Sequence, residues 1–249
     1  MLISYSGGVD SALLAVLATE VLGENARCIL LDSPVVPRAA IAEARQIADE
    51  SGLSLEILPV RVMDDERFTK NPAERCYWCK KKSAQVLKWK KEALHFACIA
   101  DGINKSDTGE HRPGLSASTE EGIVHPFLEA GITKTDIREI AKAKGLSFWN
   151  KPSAACLSSR IPYGDEITNK KLAMIEEAEA FLHASGISQC RVRMHGEIAR
   201  IEVLTEEIPK VLALQEGLVK TFRTIGFTYV TLDLEGYRSG SMDEILTNG

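Results

Sequence analysis

The chain of 249 residues carries 30 Lys and Arg against 35 Asp and Glu, a formal net charge of −5 at pH 7. Hydrophobic residues at 45% and charged residues at 26% are ordinary for a soluble globular protein of one large domain or two modest ones. The acidic balance argues against an extended electrostatic grip on nucleic acid. No apolar run approaches the roughly 20 residues of a membrane span, and no signal peptide precedes the first motif, so a cytoplasmic protein is expected.

Residues 1–3 are a short apolar run that reads as the end of a strand. Ser6-Gly7-Gly8-Val9-Asp10-Ser11 follows, and residues 11–22 form a helical run that stops at Gly23. Strand, glycine pair and helix make a physical recipe for holding phosphate. The glycines allow torsions and close approaches that a Cβ forbids. The helix start offers unpaired N–H groups and the positive end of its dipole. Ser6 and Ser11 add hydroxyls, and Asp10 either caps the helix or holds a metal ion on the phosphates. No lysine follows the glycines, so this is not the Walker loop, and the dinucleotide pattern G-x-G-x-x-G is absent. The six residues resemble instead the pyrophosphate loop of the PP-loop ATPases, which split ATP between its α and β phosphates.

Residues 26–31 read as a buried parallel strand ending at Asp32, whose carboxylate either meets a ribose or marks a simple turn. Pro37 opens a helix through Ser51, with Ile41, Ala44, Ile47 and Ala48 at helical spacing. A third strand spans 54–60. Residues 64–75 are polar and irregular, with Asn71-Pro72 as a breaker. A helix at about 76–94 and a fourth strand at 95–101 follow. Residues 101–114 form a long polar loop, of a length usually functional or disordered, at the carboxyl end of a strand, where ligands sit in open α/β sheets. Val124 to Phe127 is a short extended piece. Thr133 caps a helix through Lys144. The alternation implies an α/β fold with a doubly wound parallel sheet.

Residues 150–166 hold two prolines and a glycine, and read as an ordered active-site loop and domain junction. A helix from Thr168 to about Ala184, strands at 189–194 and 197–204, a helix at about 206–224 and a strand at 227–234 make a small second domain. Its sheet is expected to be mostly antiparallel. The domains are expected at 1–166 and 167–249.

The six cysteines of a cytosolic chain are not expected to pair as disulfides. Cys28, Cys98 and Cys190 sit in apolar strand-like runs and read as buried and inert. Cys76 and Cys79 lie three apart near a helix start, beside Lys80, Lys81 and Lys82, a setting that lowers thiolate pKa. Cys156 lies in the 150–166 loop and is the best third ligand. Three readings stand for the trio: a [4Fe–4S] cluster with one open iron, redox or persulfide cysteines, and a structural or zinc site. Arg191 and Arg193 share one side of a strand. They are either forks for carboxylate or phosphate, or a solvated face paired with acids such as Glu202.

Taken together, residues 6–11, 75–82, 104–114, 151–164 and 191–202 resemble the LarE family, and the likeness covers nearly the whole chain. That family comprises ATP-dependent sulfur transferases that make the nickel-pincer nucleotide of lactate racemase. The resemblance implies ATP with Mg²⁺ as cofactors, and pyridinium-3,5-dicarboxylic acid mononucleotide as substrate. A carboxylate of that substrate is adenylylated and then converted to a thiocarboxylate. Ser6, Gly7, Gly8, Asp10 and Ser11 are implied to hold the pyrophosphate, with Lys134 assisting. Ser159, Arg160, Glu179, Arg191 and Arg193 are implied at the substrate. Cys76, Cys79 and Cys156 are implied as ligands of a [4Fe–4S] cluster fed by sulfide or another sulfur donor. In other members the cysteine matching Cys156 is itself given up as the sulfur source. Cys156, Asp10, Ser11 and Arg160 are the expected catalytic residues, and a homo-oligomer is expected. The rivals are a tRNA thiolase, disfavoured by the pI near 5.7, an ATP-dependent amidating ligase, and a nucleotide-binding module without turnover. The helix that commonly precedes the first strand in this family is absent here.

Overall fold

A computed structural model describes residues 1–109, 113–152, 155–238 and 240–242. The first apolar run forms β1 (Leu2–Tyr5), and the run beyond the glycines forms α1 (Val9–Leu22), closed by Gly23 at φ 55°. There follow β2 (Arg27–Asp32), α2 (Arg38–Glu50), β3 (Leu55–Pro59), the single turn α3 (Glu66–Thr69), α4 (Arg75–Ala93) and β4 (Ile99–Ala100). Next come α5 (Pro113–Glu120), the single turn α6 (Pro126–Glu129) and α7 (Lys134–Ala143).

The four strands pair in the order β3-β2-β1-β4, all parallel. Alternation along the strands sets the two faces. Ile3, Tyr5, Cys28 and Leu30 join a core with Ala44 and Ile47 of α2 and Ile137 and Ala141 of α7. Leu2 and Ile29 point the other way, to Ala84 and Leu87 of α4. Each fully buried aliphatic side chain contributes about 1.5–3 kcal/mol. Helices on both faces make the expected doubly wound sheet. The fourth strand is shorter than expected, because the chain leaves α4 through a turn in which His95 takes φ 56° and Phe96 N–H donates back to the Lys91 carbonyl. The long polar loop contains a 3₁₀ turn, Lys105–Gly109, and gives way to α5 at Pro113. Glu110, His111 and Arg112 of the family-like stretch lie outside the described residues, as do Ser153 and Ala154.

The chain forms two compact units, Met1–Phe68 with Glu74–Ala154, and Thr69–Ala73 with the residues from 155 onward. Residues 155–166, read from sequence as the end of the first domain, therefore group with the second unit. Asn71 gives the physical reason. It is fully buried at φ 54°, and its Nδ2 donates to the carbonyls of Ile161 at 3.2 Å, Pro162 at 2.6 Å and Asp165 at 3.0 Å. Gly164 N–H returns a bond to the Asn71 carbonyl at 2.9 Å.

The second unit continues with α8 (Asn169–Ala184), β5 (Cys190–His195), β6 (Ile198–Val203), α9 (Ile208–Ala213), α10 (Gln215–Ile225) and β7 (Tyr229–Leu232). Thr168 caps α8 by accepting from Lys171 N–H. The hairpin β5-β6 is antiparallel, but β6 and β7 are parallel. The expectation of a mostly antiparallel sheet is thus corrected: α9 and α10 cross between β6 and β7, and a helical crossover returns the chain in the same direction. Among the described residues no helix is long and apolar enough to cross a membrane.

Candidate active site

The sheet order puts β1 between β2 and β4, so the crossovers diverge at the carboxyl ends of β1 and β4. This is the switch point where open α/β sheets bind ligands. The glycine turn lies there. Gly7 has φ 71°, and a Cβ on it would stand 2.4 Å from the Ala44 Cβ, so the turn packs flush on α2. The serines close the turn on itself. Ser11 Oγ accepts from Ser6 N–H at 3.1 Å, donates to the Gly8 carbonyl at 3.2 Å, and lies 3.0 Å from Ser6 Oγ. Gly8 is the N-cap of α1 and supplies no side-chain cap. The first-turn N–H groups and the dipole are thereby left for an anion.

Asp10 lies inside the first turn of α1 and is not its cap, which settles one alternative left by the sequence. Its Oδ2 pairs with Lys134 Nζ, and its Oδ1 accepts from Asn104 Nδ2 at 3.4 Å. Lys134 opens α7 behind the capping box of Thr133 and Asp136, and its own N–H donates to Ser106 Oγ at 3.1 Å. Gly102 closes the arrangement: a Cβ there would stand 2.7 Å from Ser11 N. The loop after β4 therefore lies directly against the start of α1. Lys151, which sequence reasoning did not single out, donates to the Gly7 carbonyl at 2.9 Å and pairs with Glu43 at 2.9 Å. Its only sequence signal is a lysine before Pro152. Asp32 stands at the end of β2 as expected, with its carboxylate on Arg38 at 2.6 Å.

Cys76 and Cys79 lie in the first turns of α4, Cys76 exposed and Cys79 half-buried. Lys81 of this helix pairs with Glu120 and Glu121 at 2.7 Å each, and Tyr77 donates to Glu120 at 2.7 Å. The basic setting of the two thiols is thus partly balanced by α5. Cys156 belongs to the second unit. It begins the 3₁₀ turn Leu157–Arg160, with its Sγ 2.9 Å from Ser158 Oγ. Among the described residues no group of three or more His, Cys, Asp or Glu side chains could hold a metal ion. Three thiols are nonetheless the donor set that a [4Fe–4S] cluster with an open iron takes. Cys28 and Cys190 are buried as expected, and burial pushes each thiol up to about 12. Cys98 is only half-buried.

The arginines of the second unit divide into two kinds. Arg160 is a buried fork: Nε and Nη2 each meet Glu179 at 2.9 Å, while Nη1 donates to the carbonyls of Ala155 and Cys156 at 2.9 Å. It therefore clamps the Cys156 turn, helped by Ser159 Oγ, which donates to the Cys156 carbonyl at 2.8 Å. Arg193 is held by Glu202 at 2.7 Å, by Ser241 Oγ at 3.0 Å and by the Ser159 carbonyl at 3.1 Å. Arg191 is different. It is only 8% exposed, and no carboxylate among the described residues pairs with it. It donates to the Cys190 carbonyl at 2.6 Å and lies 5.3 Å from the Tyr237 ring centre. Burial, and after it the Arg160 charge, push its guanidinium below the ordinary arginine range. Glu179 acts on it only from beyond ion-pair distance, and a buried guanidinium so placed can take an anion.

The parallel sheet, the switch point and the serine-closed glycine turn define a PP-loop-type α/β fold. The family profile described as NAD synthase matches residues 1–76. Three relatives match almost end to end. An uncharacterized protein of Synechocystis sp. is 42% identical over 249 residues, 99% of this chain and 92% of its own. The pyridinium-3,5-bisthiocarboxylic acid mononucleotide synthase of Lactiplantibacillus plantarum is 34% identical over 246 residues, 98% of this chain and 89% of its own. An uncharacterized protein of Methanocaldococcus jannaschii is 35% identical over 239 residues, 96% and 91% respectively. The chain belongs to the LarE family, that of the pyridinium-3,5-bisthiocarboxylic acid mononucleotide synthase.

Proposed function

We propose that the protein is an ATP-dependent sulfur transferase that converts a carboxylate of pyridinium-3,5-dicarboxylic acid mononucleotide into a thiocarboxylate. The observation that carries this reading is the 34% identity over 98% of the chain to a synthase of the bisthiocarboxylic product, joined to an intact pyrophosphate turn. The first unit carries the ATP-activating turn with Cys76 and Cys79, and the second carries Cys156 and the substrate arginines.

A carboxylate carbon resists attack until one of its oxygens becomes a good leaving group. In the proposed first step a substrate carboxylate oxygen attacks the α-phosphorus of ATP. The bond from that phosphorus to the bridging oxygen breaks, and pyrophosphate leaves with the electron pair. The N–H groups of the turn, Ser6, Ser11 and Lys134 hold the departing phosphates. Asp10 would hold Mg²⁺ on them, since its acidic side chain already faces the Lys134 ammonium at the helix start. In the second step a sulfur nucleophile attacks the acyl carbon. The carbon–oxygen bond to AMP breaks, and the thiocarboxylate remains. Arg191 binds an anionic group of the substrate, with Arg160, Arg193 and Ser159 shaping its surroundings and Glu179 fixing Arg160.

Cys76, Cys79 and Cys156 would hold a [4Fe–4S] cluster, which supplies the sulfur-delivery site when bound. Arg160 and Ser159 hold the Cys156 backbone in one turn, which keeps that thiol oriented.

The test is anaerobic turnover with ATP, Mg²⁺, sulfide and the dicarboxylate nucleotide, read by mass spectrometry of both product and protein. The proposal expects the substrate to exchange oxygen for sulfur over many turnovers, with the protein mass unchanged. It also expects iron and sulfide to be lost in Cys76→Ala, Cys79→Ala and Cys156→Ala. One product per chain, with Cys156 left as dehydroalanine, would instead make the polypeptide the sulfur source.

A further inference from the structure

A buried polar chain behind the pyrophosphate turn has no place in the steps above. Asp101 closes β4 and is 5% exposed, and His125 is 6% exposed. His125 Nδ1 lies 2.7 Å from Asp101 Oδ1, and His125 Nε2 lies 3.1 Å from Thr119 Oγ1 of α5. Asp101 Oδ1 also accepts from Ile103 N–H at 3.2 Å. Asp101 Oδ2 is buried, with no hydrogen-bond partner among the described residues. A carboxylate oxygen left unpaired in the interior disfavours folding, and such groups are otherwise rare. An apolar pair in the same space would suit stability at least as well.

What the pair holds is the turn that touches the ATP end of α1. Gly102 follows Asp101 and has no room for a Cβ against Ser11 N and the Asp10 backbone. Ile103, tied to Asp101, leads to Asn104, which is 2% exposed. Asn104 N–H donates to Asp107 Oδ2 at 3.1 Å, and Asn104 Oδ1 accepts from Ser106 N–H at 3.0 Å. The amide of Asn104 is thereby fixed, and its Nδ2 reaches Asp10 Oδ1 at 3.4 Å. Ser106 in turn accepts from the Lys134 N–H. Hydrogen bonds run from Thr119 through His125 to Asp101 and Ile103, the backbone leads from Ile103 to Asn104, and Asn104 bonds Asp10.

We propose that Asp101 and His125 are positioning residues for ATP activation: through the 101–107 turn they fix the Asp10 carboxylate and the start of α1 in the geometry that receives the phosphates. The inference rests on the reading of the glycine turn as an ATP site. Neither residue touches the reacting atoms; both act through Asn104 and Gly102.

The test measures binding of a non-hydrolysable ATP analogue with Mg²⁺ by calorimetry, together with thermal unfolding, in the full-length protein. Asp101→Asn and His125→Gln are expected to weaken the analogue roughly ten-fold, the loss of about one hydrogen bond to a charged group, measured at a temperature where each variant is fully folded; each change removes one partner of a buried pair, so Tm is expected to fall. Thr119→Val, at the exposed end of the chain, is expected to weaken it by about three-fold and serves if the buried variants do not fold. In the double variant Asn104→Ala/His125→Gln the losses are not multiplied, because both act along one route. Wild-type affinity in the folded variants, or multiplied losses in the double variant, would each overturn the proposal. A wild-type protein that fails to bind the analogue would overturn the ATP reading, and this inference with it.

Discussion

Lys151 donates its ammonium to the carbonyl of Gly7 at 2.9 Å, joining positions 144 residues apart in the chain. The bond sets a cation, with a side chain only 12% exposed, against the turn that opens the fold. A cation at this place has two uses. It offsets the Gly7 carbonyl and, on the proposed ATP reading, would meet charge that develops on departing phosphates. Lys151→Met is therefore expected to lower kcat/KM for ATP by ten-fold or more, with the fold intact by circular dichroism. Unchanged ATP kinetics would show that Lys151 only braces the turn through Glu43.

The two glycines of the turn are not equivalent. Gly7 has φ 71° and the Ala44 Cβ 2.4 Å from where its own would lie, whereas the nearest atom to a Cβ on Gly8 is Ser6 Oγ at 3.5 Å. Gly7→Ala combines backbone strain with a collision and is expected to destabilise by about 2–4 kcal/mol. Gly8→Ala is expected to unfold within about 1 kcal/mol of the parent. Denaturant titration of both variants checks the contrast, and equal losses would contradict it.

Arg191 and Glu202 face each other in the β5-β6 register, yet Glu202 serves Arg193 and Arg200. Glu202 is fully buried. Glu202→Ala leaves the buried Arg193 guanidinium without its carboxylate, while Arg200 keeps Asp233 at 3.5 Å, and is expected to cost about 3–5 kcal/mol. Arg191→Met removes a cation that its surroundings already disfavour. Its stability is expected within about 1 kcal/mol of the parent, while the KM for the anionic nucleotide rises roughly ten-fold and ATP affinity is unchanged. A large loss of stability in Arg191→Met, with no change in KM, would make Arg191 structural.

Cys28 and Cys190 make stability fall in alkali. Burial raises both thiols from an ordinary 9.0 to about 12 in the fold. Above the unfolded value the unfolded chain releases these protons while the folded chain keeps them, so the unfolded state binds fewer protons. Their contribution is fully present below about pH 9 and is lost as pH rises toward 12. Unfolding measured from pH 8 to 11 is expected to show this decline, and Cys28→Ala/Cys190→Ala to show a shallower one from a lower starting stability. An alkaline decline equally steep in the double variant would assign it to other groups.

The parts of this molecule legible from sequence are those written in local pattern. Residues 6–11 announced the turn because glycine, serine and helix start follow one another in the chain. Thr133 announced α7 because a capping residue stands directly before the helix it opens. The alternation of strands and helices gave the doubly wound sheet. What escaped depends on partners distant in sequence. Lys151 and Gly7 lie far apart, and nothing near either names the other. Asn71 read as a breaker, yet it pins the 161–165 segment through three carbonyls. Arg193 and Arg191 look alike on one strand face. Only the placement of Glu202, Ser241 and the Ser159 carbonyl shows that Arg193 has a carboxylate partner while Arg191, among the described residues, has none. The parallel pairing of β7 was hidden for the same reason, since strand direction is set by the crossover and not by the strand's own residues.

The glycine turn is proposed to activate a substrate carboxylate by cleaving ATP at its α-phosphorus. The most direct measurement follows ATP labelled at the α- and γ-phosphates in one mixture, with and without the dicarboxylated pyridinium nucleotide, and resolves every labelled product. The account predicts AMP and pyrophosphate in equal amounts, formed only when the nucleotide substrate is present and strongly reduced in Asp10→Ala. Release of ADP and inorganic phosphate, or AMP formation indifferent to the substrate, would contradict it.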